Sequence, residues 1–216
     1  MEDLRNYLNG IRRDFANKPL NEDAVHKNPF LQFSHWFEEA VNAQLLDPYA
    51  MVIATVDEKG QPHSRVVYLR SISEEGMVFY TNYNSEKGKN ISASNKIALT
   101  FFWVELERQI RIEGTVKKVN DELSDQYFAA RPRESQLGAW ASNQSETISS
   151  REELEKQVEF YNEKFKNIEV PRPPHWGGYV VNPVKFEFWQ GRPNRLHDRL
   201  VYSKIENDWK IYRVAP

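Results

Sequence analysis

Over the first 45 residues the apolar positions recur with the period of a helix. Leu4, Tyr7, Leu8, Ile11 and Phe15 fall on one stripe, and Phe33, Trp36, Phe37, Ala40, Val41 and Leu45 on a second. Two amphipathic helices are therefore predicted to open the chain. From Ala50 the pattern changes to β-branched and aromatic runs, AMVIATV, SRVVYLRSI and MVFYT, broken by the Gly-bearing turns DEKGQ and SEEG. Consecutive hairpins read this way. Further strands are predicted for KIALTFFWV and RQIRIEGTVKKV around a tight ELE connection, then for YVVNPVKFEFWQ, RLVYSKI and DWKIYRV. Between them lie helical patterns: Ser85–Ser94 with Ser85 as its cap, DELSDQYFAAR stopping before Pro132, a restart near Ser135, and the charged SREELEKQVEFYNEKFK.

Six or more strands in hairpin order with helices outside them define a β-rich α+β class. Closure into a small barrel or a strongly curled sheet would remove the exposed strand edges. At 216 residues, without an internal repeat, the chain fits a single domain: a helical segment over 1–47, then a barrel with inserted helices over 48–216.

Composition narrows the chemistry by exclusion. With 29 Lys and Arg against 31 Asp and Glu the net charge is -2, which argues against nucleic acid or an anionic membrane as the main partner. Positive charge that matters must be local. There is no cysteine, and the five histidines (26, 35, 63, 175 and 197) lack ligand spacing, so no metal site is expected. The opening MEDLRNYLNGIRRDF has no apolar signal region, and apolar runs such as YAMVIATV are too short to span a bilayer, so a soluble, cytoplasmic protein is expected. Six Trp within 13% aromatic residues suit either core packing or a flat-ring ligand.

Four short stretches concentrate anion-binding side chains. In SRVVYLR, Arg65 and Arg70 sit five apart on a predicted strand, so alternation sends them to opposite faces, where they would serve different anions or simply be exposed strand arginines. In SEKGK, Lys87 and Lys89 occupy the first turn of a helix, unfavourable for the helix itself and explained by a nearby phosphate or by a solvated turn. In YFAARPRESQLGAW, Arg131 ends one helix and Ser135 starts the next; together they suit a phosphate, and separately an ordinary helix end and N-cap. In EFWQGRPNRLHDR, a continued strand would put Arg195, His197 and Arg199 on one face beside Trp189, a repulsive set unless an anionic or π-rich ligand lies against it. No paired acids, Ser-His-Asp order or Gly-rich dinucleotide motif is present, which leaves redox chemistry by a bound cofactor.

Together with RVVYLR, FYTNYNSEKGK, ERQIRIEG and WGGY, these stretches make the chain resemble the pyridoxine/pyridoxamine 5′-phosphate oxidase family, from about Arg12 to the terminal YRVAP. The resemblance implies an FMN-binding split β-barrel with peripheral helices and C-terminal dimerisation strands, and a homodimer with FMN at the subunit interface. It also implies oxidation of pyridoxamine or pyridoxine 5′-phosphate to pyridoxal 5′-phosphate by O2. By resemblance, the FMN contacts fall on Arg65, Val66, Val67, Tyr80, Thr81, Lys87, Gln109, Gln144, Ser145, Trp189 and Arg199, and the substrate contacts on Arg12, Arg70, Tyr127, Arg131, Ser135, Arg195 and His197. Arg195 and His197 would act at the reacting centre, with Asp47 either assisting proton handling or serving as a turn residue.

Three positions depart from the family pattern: Arg70 replaces lysine, Phe15 replaces tyrosine, and Glu86 stands where arginine is common. Glu86 would repel a flavin phosphate unless it points outward or pairs with a lysine. Two other readings stay open: a flavin or pyridoxal phosphate binding protein without oxidase activity, and a split-barrel oxidase acting on another substrate, as in phenazine biosynthesis.

Overall fold

The computed structural model describes residues 2–10, 15 and 18–216, and among them nine strands and six α-helices. Arg12, expected to touch substrate, lies outside the described residues, as does Ile11 of the first apolar stripe. Two compact units emerge: residues 1–48, 101–111 and 185–216 form the first, and residues 49–100 and 112–184 the second.

The second unit is organised by a sheet of order β2-β1-β5-β6-β7-β4-β3. Its strands are β1 (Ala50–Val56), β2 (Pro62–Tyr68), β3 (Ser71–Ser73), β4 (Gly76–Asn82), β5 (Lys96–Trp103), β6 (Arg108–Lys118) and β7 (Trp176–Gln190), of which β5, β6 and β7 each also supply residues to the first unit. β1 runs antiparallel to β2 and β5, and β4 antiparallel to β3 and β7. In β1 the alternation is that of a half-buried strand, with Met51, Ile53 and Thr55 inside and Val52 and Val56 outside. The opening WGGYVV of β7 is buried throughout, as its unbroken apolar run requires.

Caps fix the helices that border this sheet. Ser85 begins α3 (Glu86–Ala93), Asn120 begins α4 (Asp121–Ala129) and Ser150 begins α6 (Arg151–Lys164), each side-chain oxygen accepting a first-turn N–H. α5 (Arg133–Ala141) starts two residues before the predicted Ser135, because Pro132 ends the preceding helix and occupies the N-cap itself without a side-chain acceptor. Phe128, Leu137, Phe165, Val170 and Trp176 bury one another beneath these helices, and Arg133 donates to the carbonyls of Phe165 and Ile168 to fasten α5 to the end of α6.

The predicted strand SRVVYLRSI is two strands. Leu69 N–H still bonds to Tyr49 at the edge of β1, but Arg70 N–H bonds to Val78 of β4, so the chain changes neighbours between them. Simple alternation therefore does not carry from Arg65 to Arg70.

In the first unit, α1 spans Glu2–Gly10 and α2 spans Pro29–Asn42, the latter capped by Asn28 with Pro29 at its first position. Buried Phe33 meets Phe101 edge-on at 5.0 Å and Trp36 meets Phe188 at 5.3 Å. Arg108 lies 4.3 Å over the Trp36 ring and pairs with Glu39. The end of β7 pairs with β8 (Asp198–Ile205), and β8 with β9 (Asp208–Arg213). From β9, Arg213 reaches Glu22 at 2.8 Å, Asp198 at 2.6 Å and the Leu20 carbonyl at 2.8 Å, holding the segment before α2.

Two helical glycines separate backbone economy from crowding. A Cβ at Gly88 in α3 would strike the Tyr83 carbonyl, whereas one at Gly138 in α5 would meet nothing within 4 Å. Gly138→Ala is expected to raise stability by up to about 1 kcal/mol through helix propensity. Gly88→Ala is expected to lower it, and urea unfolding of both variants checks the opposite signs.

Candidate functional site

A cleft of about 760 Å3 opens in the second unit, within the size range of small-molecule sites. One wall is Arg65, Val66 and Val67 of β2 with Arg70 just beyond it; β4 supplies Tyr80 and Thr81, and α3 supplies Lys87. The α4–α5 region contributes Tyr127, Arg131 and Ser135, and the loop after α5 contributes Gln144 and Ser145. Arg65 and Arg70, predicted to face opposite ways, thus line the same cleft. Ser135, predicted as an N-cap, is the third residue of its helix and faces the cleft from there.

At one end neutral partners hold Lys87 and the Nη1 nitrogen of Arg65. Arg65 Nη1 donates to Thr55 Oγ1 at 2.7 Å and to the His63 carbonyl at 3.0 Å, which fixes the plane of the guanidinium. Lys87 is buried, and its ammonium donates to Gln144 Oε1 at 2.9 Å and Ser85 Oγ at 3.3 Å. Gln144 Oε1 also accepts from Thr81 Oγ1 at 3.1 Å, so one amide oxygen organises both groups. The predicted basic pair divides here, since Lys89 is exposed. Burial, with Arg65 adding repulsion and Glu86 opposing, brings the Lys87 pKa down to about 8.

Glu86 does not pair with a lysine. Its carboxylate bridges Arg65 Nη2 at 3.1 Å and His63 Nδ1 at 3.4 Å.

The other end of the cleft is aromatic and cationic. The rings of Tyr80 and Tyr127 stack with centroids 3.8 Å apart and an interplanar angle of 4°, and Trp176 lies nearly parallel to both. Gly178 makes this wall possible. It is the cross-strand partner of Tyr80, and any Cβ there would strike the tyrosine ring. The Arg131 guanidinium sits 4.5 Å over the Trp176 ring, and its Nη1 is buried with no hydrogen-bond partner among the described residues. Burial lowers the pKa of Arg131, Tyr127 opposes that shift, and Arg70 adds to it. A ligand oxygen at Nη1 would satisfy an otherwise costly buried donor.

The remaining predicted residues belong to the first unit. β7 ends at Gln190, and residues 191–197 form a loop with a 3-10 turn at Pro193–Arg195 in which Asn194 and Arg195 have φ of 57° and 61°. The expected alternation of Arg195, His197 and Arg199 on one strand face is therefore incorrect, because only Arg199 is in a strand. Arg199 forks onto the buried Glu187 of β7 with two 3.0 Å bonds and gives a third to the Ala215 carbonyl.

His197 packs against Trp189 at 4.6 Å and Phe15 at 5.1 Å, and its Nδ1 accepts from the Arg192 N–H at 3.1 Å. Burial, then the charge of Arg195, lowers its pKa. The ring is thereby set as the tautomer with its proton on Nε2. Gln109 is half-buried in β6, Arg195 is exposed, and Asp47 occupies the turn before Pro48 with a left-handed φ of 49°.

Sequence reasoning missed Trp176 as a wall of the cleft and Thr55 and His63 as the groups that orient Arg65. The spacing of His63 and Arg65, two apart on one strand face, was the available signal for the second.

The unusual state of Lys87 is testable in the ligand-free protein. Between pH about 8 and its ordinary value of 10.5, the unfolded chain holds a proton on this lysine that the folded chain does not. Stability contributed by this group therefore rises with pH across that window, by roughly 3 kcal/mol in all. Urea titrations at pH 7.5 and pH 10 are expected to show that Lys87→Met stabilises more at the lower pH; an equal effect at both would remove the assigned shift.

Comparison with known proteins agrees with this geometry. Residues 37–164 match the family model described as pyridoxamine 5′-phosphate oxidase, and residues 176–216 match the pyridoxine 5′-phosphate oxidase C-terminal dimerisation region. A pyridoxine/pyridoxamine 5′-phosphate oxidase of Trichormus variabilis is 52% identical, covering 95% of this chain and 97% of its own. One from Rubrobacter xylanophilus is 51% identical over 100% and 99% of the two chains. Among solved structures, PhzG from Burkholderia lata, in complex with tetrahydrophenazine-1-carboxylic acid, aligns with a TM-score of 0.86 at 29% identity, over 93% of this chain and 99% of its own. A pyridoxamine 5′-phosphate oxidase-related, FMN binding protein from Nostoc punctiforme shares the fold, with a TM-score of 0.70 at 16% identity over 89% and 100%. With the predicted split-barrel fold matched and the C-terminal dimerisation region present, the chain belongs to the pyridoxamine 5′-phosphate oxidase family.

Proposed function

We propose that the protein is an FMN-dependent oxidase that converts pyridoxamine 5′-phosphate and pyridoxine 5′-phosphate to pyridoxal 5′-phosphate in the cytoplasm. The observation that carries this reading is the charge of the cleft. Among the described residues, Arg65, Arg70, Lys87 and Arg131 line it against a single carboxylate, Glu86, and one of the four has a buried donor without an acceptor. Two phosphorylated ligands supply the missing anions, each through charge-assisted bonds worth roughly 1.5–3 kcal/mol.

The flavin phosphate is assigned to Arg65 and Lys87, with Thr81, Gln144 and Ser145 completing the cradle and Val66, Val67 and Tyr80 beside it. The vitamer phosphate is assigned to Arg70, Tyr127, Arg131 and Ser135. When bound, FMN would supply the redox chemistry, a two-electron oxidation of the substrate carbon that bears the amine or alcohol, with O2 as the final acceptor reduced to H2O2. The protein's own contribution is position: a phosphate held by several fixed donors orients the ring attached to it, and near-attack geometry is worth roughly 7–11 kcal/mol in the best cases.

Arg195 and His197 are assigned to the substrate ring, His197 as a donor through Nε2, since its Nδ1 is occupied by the Arg192 N–H. Trp189, Gln109 and Arg199 are assigned to FMN; with three N–H groups of Arg199 already engaged, two of its five donors remain for it. We assign no step to Asp47. The dimerisation region carries Trp189, Arg195, His197 and Arg199, and we propose a homodimer in which these residues serve FMN and substrate at the subunit interface. The solved phenazine complex favours a second reading, an oxidase of phenazine precursors, but such a substrate leaves Arg131 and Arg70 without their phosphate.

Steady-state peroxide release separates the readings. Pyridoxamine 5′-phosphate is expected to give peroxide and ammonia in equal amounts, whereas a binding protein gives none. Arg195→Leu is expected to lower kcat/KM by roughly 10²–10³-fold with FMN still bound, and near wild-type turnover would reject that assignment. Arg131→Leu is expected to raise KM for the phosphorylated vitamer roughly 10- to 100-fold, and an unchanged KM would place the vitamer phosphate elsewhere.

A further inference from the structure

Among the described residues, Glu86 is the one acidic residue lining the cleft, and it touches the guanidinium assigned to the flavin phosphate. The inner nitrogen of Arg65, Nη1, is committed to Thr55 Oγ1 and the His63 carbonyl. The other terminal nitrogen, Nη2, is the one that Glu86 Oε2 occupies, at 3.1 Å. The second oxygen of the same carboxylate lies 3.4 Å from His63 Nδ1, and the far side of that imidazole faces Asp57 Oδ2 at 3.3 Å. Arg65 is well covered, while the Glu86 side chain is 54% exposed at the first position of α3. Of the two partners, the carboxylate is the one free to move.

We propose that Glu86 is an internal competitor for the phosphate. It holds Arg65 Nη2 while the cleft is empty, and releases it to the incoming phosphate by withdrawing onto His63. This inference rests on the assignment of the flavin phosphate to Arg65 and Lys87. A carboxylate and a phosphate compete for the same planar fork of donors, and the two anions repel at contact distance. The pair therefore partly neutralises the empty cleft and sets cofactor affinity below what the cradle alone would give. A flavin without a phosphate has no reason to displace Glu86. The carboxylate thus weakens the phosphorylated cofactor selectively, leaving FMN exchangeable where a cation at this position would retain it.

His63 does not line the cleft, so its role is to receive Glu86 rather than to touch ligand. That separates the proposed release from simple charge repulsion. The test is equilibrium binding of FMN and of riboflavin, followed by quenching of flavin fluorescence, to ligand-stripped wild type, Glu86→Gln, His63→Ala and the double variant.

Glu86→Gln is expected to tighten FMN by about tenfold and to leave riboflavin unchanged. His63→Ala is expected to weaken FMN severalfold in the wild-type background and to have no effect once Glu86 is Gln. Unchanged or weaker FMN binding by Glu86→Gln would overturn the competition, as would equal tightening of riboflavin. An equal effect of His63→Ala in both backgrounds would overturn the release onto His63. Failure of all four proteins to bind FMN would overturn the cofactor assignment itself, and this inference with it.

Discussion

Burial of positive charge without matching negative charge is the constraint on which the rest of the cleft depends. A protein of net charge -2 has acids to spare, yet among the described residues four cationic side chains meet one carboxylate here. Desolvating such groups is costly, and the cost is visible in Lys87, whose pKa falls to about 8, and in Arg131, whose Nη1 has no acceptor among the described residues. The neutral partners Thr55, Ser85 and Gln144 orient these cations without cancelling them. Such an arrangement costs stability when empty and returns it when an anion arrives, which is how a fixed cradle discriminates in favour of phosphate esters.

Two backbone features hold the cradle open. The switch of partner between Leu69 and Arg70, from Tyr49 to Val78, brings a second arginine to the cleft already occupied by Arg65. The glycine at 178 lets Tyr80 lie flat against its neighbouring strand, and Tyr127 and Trp176 stack parallel to it, so Arg131 has a rigid aromatic face beneath it. In the first unit, the Arg213–Glu22–Asp198 cluster and the Arg199–Glu187 fork anchor the start of β8 and the end of β9, and the Arg192–His197 bond shapes the loop carrying Arg195. Charge pairs there are spent on geometry, whereas among the cations of the cleft Glu86 pairs only with Arg65 and leaves the others to a ligand.

Much of this was legible in the sequence because it is local. β-Branched and aromatic runs broken by turns located β1, β4, β5, β6, β8 and β9 to within two residues, and Ser85 announced α3 as its cap. Hairpin order pointed to a curled antiparallel sheet. Non-local pairing was not legible. Nothing in SRVVYLRSI says that the ladder passes from β1 to β4 at Arg70, and nothing in GRPNRLHDR says that Asn194 and Arg195 both adopt left-handed backbone between the two strands. The partners of Glu86 were hidden for the same reason, since Glu86 opens a helix and Arg65 lies 21 residues away on a strand. Strings of charged residues showed where anions belong, but only the fold shows which charges remain uncancelled.

The central claim is that these uncancelled cations seat a phosphate as a dianion. Phosphorus NMR of the FMN-saturated protein, followed from pH 5 to pH 8, tests it most directly. A free phosphate monoester takes up its second proton near pH 6. The account predicts a single bound resonance that stays at the dianion position across the whole range. A bound resonance that titrates as the free ester does would contradict it.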